Sequence, residues 1–358
     1  MSKIEWTDRS DWNPIRGCTR VSEGCRNCYA ESIAARFSAP GQPFHGFAKR
    51  TPNGPRWTGK VAPIEERLTL PLKWRRPARI FVNSAFDLFH ESVLDEWIDR
   101  VFAVMALAPQ HTFQVLTKRP KRMREWIKDR LEEGCWGAVE HRAKKIARGT
   151  PLEQKLVGKT LASVGPFSHV WLGVTAEDQA RADERIPDLL ATPAAVRFVS
   201  VEPMLGAIDL RRLKWGEPSA ATFYGHPEIN KVQFILDALT GAESLGWRGL
   251  DWIICGGESG PDARPMHPNW ARDLRDQCGA AGVPFFFKQW GRWLPADQCN
   301  DRIIRCSKHA VVARSGRALI DHDIANPPES VFAFDYGKRH TGRLLDGVEH
   351  NAFPEPRQ

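Results

Sequence analysis

Val170-Trp-Leu-Gly-Val174, the stretch from Glu177 to Leu190, and Val196-Arg-Phe-Val-Ser-Val201 together decide the fold. The two short runs are mostly apolar, as strands covered on both faces must be, and the residues between them are apolar at helical spacing. A strand, a helix and a second strand of this kind read as one parallel β/α unit.

The alternation extends in both directions. Upstream lie Arg79-Ile-Phe-Val-Asn83 and Thr112-Phe-Gln-Val-Leu116, preceded by a short extended Trp12-Asn-Pro-Ile15; downstream lie Trp252-Ile-Ile-Cys255 and Pro284-Phe-Phe-Phe287. Helical patterns occupy Tyr29 to Phe37, Ser92 to Leu107, Lys121 to Leu131 and Asn269 to Ala281, the last with Pro268 before it and Gly282 after it as start and stop signals. Seven strands alternating with helices predict an α/β protein, a partial or irregular (β/α) barrel over residues 1–292, with a doubly wound open sheet as the alternative. Stretches at about 132–168 and 211–250 read as inserts. Beyond Trp293 the periodicity stops, which predicts an irregular C-terminal appendage over 293–358 with a final turn at Arg343-Leu-Leu-Asp-Gly347.

The 358 residues are 42% hydrophobic and 26% charged, which excludes a mainly disordered chain. The longest apolar run, Val101 to Ala108, falls far short of the ~20 residues of a membrane span. Met1-Ser-Lys-Ile-Glu-Trp-Thr-Asp8 has no apolar core, so a soluble, non-secreted, cytoplasmic protein without a membrane partner is expected. Fifty-one Lys+Arg against 43 Asp+Glu give +8 and favour anionic partners. Lys121 to Lys159 holds eleven basic residues against six acids and reads either as a solvated helical face or as a phosphate-contacting surface.

Three of the eight cysteines crowd into Cys18-Thr-Arg-Val-Ser-Glu-Gly-Cys25-Arg-Asn-Cys28, while Cys135, Cys255, Cys278, Cys299 and Cys306 are dispersed. An odd trio on one loop of an intracellular chain points to metal rather than to disulfides. Three thiolates hold three irons of a [4Fe–4S] cube and leave the fourth iron open; a closed zinc site needs a fourth ligand, for which His45 and His90 are candidates. Cys299 and Cys306 read as incidental thiols.

On the barrel reading, the strand ends bring Asn83, Ser84, Thr117, Lys118, Thr175, Glu177, Ser200, Glu202, Glu258, Ser259, Lys288 and Gln289 to one rim. Candidate cofactor contacts are Tyr29, Asn83, Ser84, Thr175, Ser200, Gly256, Gly257, Glu258 and Ser259; candidate catalytic groups are Lys118, Glu202 and Lys288. In Gly256-Gly-Glu-Ser-Gly260 the glycines admit a ligand close to the backbone and Glu258 accepts from an amine or ribose hydroxyl; a tight turn without a ligand is the other reading. Lys118 and Lys288 suit a carboxylate or phosphate, or ordinary ion pairs with Glu202 or Glu258. Asp87 and His90 either close the site or begin the next helix. Most of the fourteen tryptophans, Trp171 and Trp252 among them, belong to the core, and exposed ones would allow base stacking. Val157-Gly-Lys-Thr160 lacks the first glycine of a phosphate-binding loop, Glu153 standing in its place, and Asn326-Pro-Pro-Glu329 lacks the final aromatic residue of an amino-methyltransferase tetrapeptide.

The cysteine loop after the first extended run resembles that of the radical S-adenosylmethionine superfamily. More narrowly, Trp12-Asn-Pro14, Phe81-Val-Asn-Ser84, Asp87-Leu-Phe-His90, Leu116-Thr-Lys-Arg-Pro120, Leu172-Gly-Val-Thr175, Ser200-Val-Glu-Pro203, Gly256 to Gly260 and Phe287-Lys-Gln-Trp-Gly291 resemble a phage-associated three-cysteine-motif family of radical-SAM-like proteins. A distant likeness to spore photoproduct lyase accompanies it. The loop is three residues longer than the superfamily's common C-x3-C-x2-C, with Asn27 before the third cysteine and Tyr29 after it. The resemblance implies Cys18, Cys25 and Cys28 as cluster ligands and S-adenosylmethionine on the open iron. It further implies an electron donor such as flavodoxin or ferredoxin, and cofactor cleavage to a 5′-deoxyadenosyl radical. With the basic charge, it favours a nucleic acid or nucleotide as the substrate modified or repaired. The alternatives are a zinc-stabilised nucleic-acid-binding protein and a radical enzyme acting on a protein partner.

Overall fold

The β/α unit at 170–201 forms as its pattern requires. In the computed structural model Val170–Thr175 and Val196–Val201 are strands buried at every position, and Gln179–Leu190 is the helix between them. Asp178 caps that helix by accepting from the Arg181 amide at 2.9 Å, an interaction worth about 1 kcal/mol. The structure describes residues 4–132, 136–156, 167–215, 234–242, 245–299, 308–316, 318–320 and 329–355. Cys135, Cys306 and the stretches 157–160 and 326–328 considered above lie outside them.

The principal strands are β1 (Arg79–Val82), β2 (Thr112–Thr117), β3 (Val170–Thr175), β4 (Val196–Val201), β5 (Trp252–Gly256) and β6 (Phe285–Gln289). The helices named below are α1 (Tyr29–Arg36), α2 (Asp95–Leu107), α3 (Pro120–Glu132), α4 (Trp136–Ala147), α5 (Gln179–Leu190) and α6 (Pro268–Ala281). The six strands make one parallel sheet in the order β6-β5-β4-β3-β2-β1. That order follows the chain without reversal, which is compatible with the winding of a partial (β/α) barrel; a doubly wound sheet would reverse at a switch point.

The expected seventh strand is corrected. Ile15–Arg16 leaves the parallel sheet and pairs antiparallel with Ala62–Pro63, while the preceding residues run beside β1 through a single parallel bridge, Arg9 to Ile80. Pro14 accounts for the break, because it has no amide to continue a ladder; its carbonyl instead accepts from the Ile64 amide at 2.8 Å.

The chain forms two compact units: residues 1–174 with 192–197 and 356–358, and residues 175–191 with 198–355. In the first, α2 packs on α4 at the position of the first expected insert, and Trp126, Trp136 and Phe102 meet with ring centroids 4.5–6.1 Å apart. In the second, the described part of the other expected insert holds two antiparallel strand pairs, Leu213–Trp215 with Phe234–Leu236 and Gly241–Ala242 with Trp247–Arg248. Pro268 opens α6 and Gly282, at φ 68°, closes it in the left-handed conformation.

The appendage beyond Trp293 is not irregular. Trp293–Pro295, Ser330–Asp335, His309–Ala313 and Ala318–Ile320 form a four-stranded antiparallel sheet. Its strands are short, and the β-formers of Ser330-Val-Phe-Ala-Phe-Asp335 carry no helix-alternating rhythm that would advertise them. The final turn is present: Asp346 and Gly347, with φ 53° and 79°, join Leu344–Leu345 to Val348–Glu349 as a two-residue hairpin demands. Among the described residues no helix is long and apolar enough to cross a membrane.

Candidate functional site

In the first unit the segment from Arg16 to Lys60 departs and returns at one point. The Ile15–Arg16 and Ala62–Pro63 pairing joins its ends, and Gly17, at φ 96°, sits so close to the returning chain that a Cβ would lie 2.0 Å from the Lys60 carbonyl oxygen. Inside this excursion a single 3-10 turn, Glu23–Cys25, leads into α1. A hairpin of Ala48–Thr51 with Gly54–Trp57 then packs on α1 through Ala34, Ala35 and Ala48, with Phe44 and Trp57 at the margin. Glu31, 1% exposed, locks the pieces together: it accepts from Arg20 Nε at 2.9 Å and from the Trp57 amide at 2.7 Å.

Cys18, Cys25 and Cys28 are all unpaired and half-buried on this excursion. Burial pushes the Cys18 thiol up to about 12, Asp87 adding to the effect and Arg119 opposing it. Burial also raises Cys28, while the backbone amides of Glu31 and Ala30 at the start of α1 pull the other way. Both thiols feel the charge of their neighbours on the loop, Cys25 included. Among the described residues no group of three or more His, Cys, Asp or Glu side chains is gathered as a ligand set for a metal ion.

A buried ionic network ties the loop to the ends of β1 and β2. Asp87, 6% exposed, accepts from Thr117 Oγ1 at 2.7 Å, from Arg119 Nη1 at 3.1 Å, and from the amides of Phe89 and Lys118 at 3.0 and 3.1 Å. Arg119 also donates to Glu91 at 2.8 Å and to Thr19 Oγ1 at 2.7 Å, one residue from Cys18. His90 Nδ1 accepts from the Ser92 amide at 3.1 Å, which leaves Nε2 to donate to Thr19 Oγ1 at 2.9 Å. Burial, then Arg119, lowers the His90 pKa and favours the neutral ring. Arg119 is the residue that sequence reasoning passed over in favour of Lys118. A signal existed: continued past the end of β2, the two-residue strand period puts Arg119 on the side of Thr117 and Lys118 on the other.

Asn83 and Ser84 lie beside this network. Asn83 is left-handed at φ 56°; its Oδ1 accepts from the Ile15 amide at 3.3 Å, and its buried Nδ2 has no hydrogen-bond partner among the described residues. The Ser84 hydroxyl donates to the Ser10 carbonyl at 2.6 Å, and its own carbonyl accepts from the Tyr29 hydroxyl at 2.8 Å. Burial of that hydroxyl raises Tyr29 to about 12, although 46% of the residue remains exposed.

The second unit holds its own set. Lys288 Nζ lies 2.9 Å from Glu202 Oε1, and Ser200 Oγ donates to Glu202 Oε2 at 3.0 Å, so Lys288 and Glu202 form the ion pair that the sequence left open. Glu258, 6% exposed, accepts from Arg264 through Nη2 at 2.7 Å, Nε at 2.9 Å and the backbone amide at 2.8 Å. Gly257 is required by the chain itself, since a Cβ there would stand 1.9 Å from the Trp290 carbonyl oxygen. That close approach accounts for Gly257, one of the paired glycines of the Gly256–Gly260 turn. The Thr175 carbonyl accepts from Arg185 Nη1 at 2.8 Å, and Arg185 pairs with Glu177 at 3.0 Å. Ser259 is half-buried at the turn, and the buried Oε1 of Gln289 has no hydrogen-bond partner among the described residues.

Much of the basic stretch beginning at Lys121 is engaged internally. Arg122, Arg130 and Arg142 pair with Asp95, Asp99 and Glu96 of α2 at 3.0, 2.8 and 3.1 Å, and Lys144 pairs with Glu140 at 2.6 Å. Trp171 and Trp252 are 5% and 0% exposed, as core residues should be.

No curated protein and no solved structure matches this chain. The fold and the cysteine loop fall within one family match, over residues 1–354, and the chain belongs to the family described as Protein of unknown function (DUF5131).

Proposed function

We propose that the protein is a radical S-adenosylmethionine enzyme in which Cys18, Cys25 and Cys28 hold three irons of a [4Fe–4S] cluster. The observation that carries this reading is the placement of three unpaired thiols on one clamped loop, fastened by Thr19 and Arg119 to the carboxyl ends of β1 and β2. The donor set fits a cube better than a single ion. A cube asks each thiolate for a bond to a separate iron, whereas zinc needs four donors converging on one point at about 2.0–2.3 Å. His90 is poorly placed as zinc's fourth ligand, because both ring nitrogens already hold hydrogen bonds.

Held by Cys18, Cys25 and Cys28, such a cluster would supply the single electron needed for reductive cleavage of S-adenosylmethionine, and so radical chemistry on a substrate. The chain's own contribution is placement. Arg119 and Asp87 hold the Cys18 side of the loop against the strand ends, and the Tyr29 hydroxyl fixes the start of α1 to Ser84. Asn83 Nδ2, buried and without a partner among the described residues, is a donor that a cofactor carboxylate or hydroxyl would satisfy. The chain's net charge of +8 favours a nucleic acid or nucleotide as the substrate.

The test is anaerobic purification and reconstitution with iron and sulfide, followed by metal analysis, electron paramagnetic resonance after reduction, and detection of 5′-deoxyadenosine. About four irons per chain, a reduced-cluster signal and cofactor cleavage are expected, all lost in the Cys18→Ala, Cys25→Ala, Cys28→Ala triple variant. Stoichiometric zinc with no cluster and no cleavage overturns the reading in favour of a zinc-stabilised binding protein.

A further inference from the structure

We infer that the excursion from Arg16 to Lys60 is a docking face for single-stranded nucleic acid. This deepens the proposed function, on whose reading it rests for the link between docking and chemistry. The excursion contains eight basic residues (16, 20, 26, 36, 49, 50, 56 and 60) against two acids (23 and 31), so these 45 residues carry +6 of the chain's +8. One of the two acids, Glu31, is 1% exposed and engaged by Arg20 and Trp57. The exposed ionisable side chains are therefore the cations Arg26, Arg36, Lys49, Arg50 and Lys60, with His45 and a single carboxylate, Glu23.

A second observation is independent of the count. In the hairpin register Lys49 stands directly opposite Arg56. Like charges opposed across a strand pair destabilise it, so folding alone does not account for both being there. A polyanion relieves that repulsion, and guanidinium groups match phosphate oxygens in two-pronged geometry.

Exposed rings point to unstacked bases rather than duplex. Tyr29, the first residue of α1, and Phe37, its C-cap, are 46% and 40% exposed, and along the chain they alternate with Arg26 and Arg36. Aromatic faces among cations are the means by which single strands are held. The same excursion also carries the three half-buried thiols, which is the link between docking and the candidate cluster.

The full-length protein, as isolated and after reconstitution, would be titrated into a fluorescently labelled mixed-sequence 20-nucleotide single strand over a range of salt concentrations. The same-length duplex and anionic phospholipid vesicles would be run alongside. K49E/R50E alters two exposed hairpin cations, K145E/R148E alters two exposed cations beyond the paired part of α4, and circular dichroism with iron content reports folding of each variant. We expect K49E/R50E to weaken single-strand binding about tenfold or more near 100 mM salt and to flatten the salt slope by about 1.4, with K145E/R148E within about threefold of wild type. Equal losses in both variants, tighter binding to duplex, or binding to vesicles alone would overturn the inference. The two readings fail separately: strand binding without cluster chemistry sinks the enzyme and keeps the face, whereas cluster chemistry without strand binding does the reverse.

Discussion

The stretches Lys121 to Lys159 and Arg16 to Lys60 carry similar excesses of positive charge, eleven basic residues against six acids and eight against two, and they are used differently. In the first, three arginines lie on the acids of α2, so that charge holds one helix against the next. In the second, the carboxylate that Arg20 meets is Glu31, which lies inside the excursion itself and is buried. A segment's net charge therefore says little about the charge it offers to a partner. What matters is whether the neutralising acids sit elsewhere in the fold, as Asp95, Glu96 and Asp99 do for the first stretch.

The sharpest way to break the comparison is at the deeply buried cation that anchors the exposed basic region. Arg119→Ala would leave Asp87, 6% exposed, with hydroxyl and amide donors but no counter-charge, and would leave Thr19, beside Cys18, held by His90 without the guanidinium. Removing one partner of a buried pair costs about 3–5 kcal/mol, and the remaining donors to Asp87 put the expectation near the lower end. Urea unfolding reads it directly. A loss below about 1 kcal/mol would mean that the excursion is held by its Gly17–Lys60 closure and not by this network.

The paired stretch should respond in stability and not in binding. Arg130→Ala removes the partner of Asp99, with side chains 13% and 6% exposed, and is expected to cost about 2 kcal/mol. Single-strand affinity should stay within about threefold of wild type, since this cation is already committed to α2. A tenfold loss of affinity with unchanged unfolding would reverse the roles assigned to the two stretches.

How much of this was legible follows from the range of each interaction. The six sheet strands and their helices were readable because each is a local apolar run bounded by turn residues, and Pro268, Gly282 and Asp346-Gly347 announced their turns with residue types that only those backbone conformations favour. The supposed strand at Trp12–Ile15 failed because one residue, Pro14, redirected the chain. The antiparallel sheet after Trp293 escaped because its strands are short and pair across separated segments. In the candidate site, the cysteines were visible by spacing. Arg119, the Glu258–Arg264 pair and the Trp290 carbonyl behind Gly257 were not, because each depends on which side chain or strand arrives from elsewhere. The opposed charges of the hairpin lie in between: Lys49 and Arg56 flank Pro52-Asn-Gly54, a turn signal from which the register could have been counted.

The smallest expected effect separates the two regions most cleanly, because its sign differs between two measurements. Arg56→Thr removes the like-charge pair with Lys49 and installs a good strand former. It also gives up a hydrogen bond from Arg56 Nη1 to the neighbouring Pro55 carbonyl, 2.7 Å long, which is local and partly solvated and so worth little. The net expectation is stabilisation of about 0.2–1 kcal/mol by thermal or urea unfolding. The same change removes a phosphate contact and should weaken single-strand binding a few-fold, with a salt slope lower by about 0.7. Gain in stability with loss of binding is the signature of a charge kept for a partner at the fold's expense. If stability and binding fall together, Arg56 belongs with Arg130 as a structural cation, and the exposed region loses the observation that most distinguishes it from the paired one.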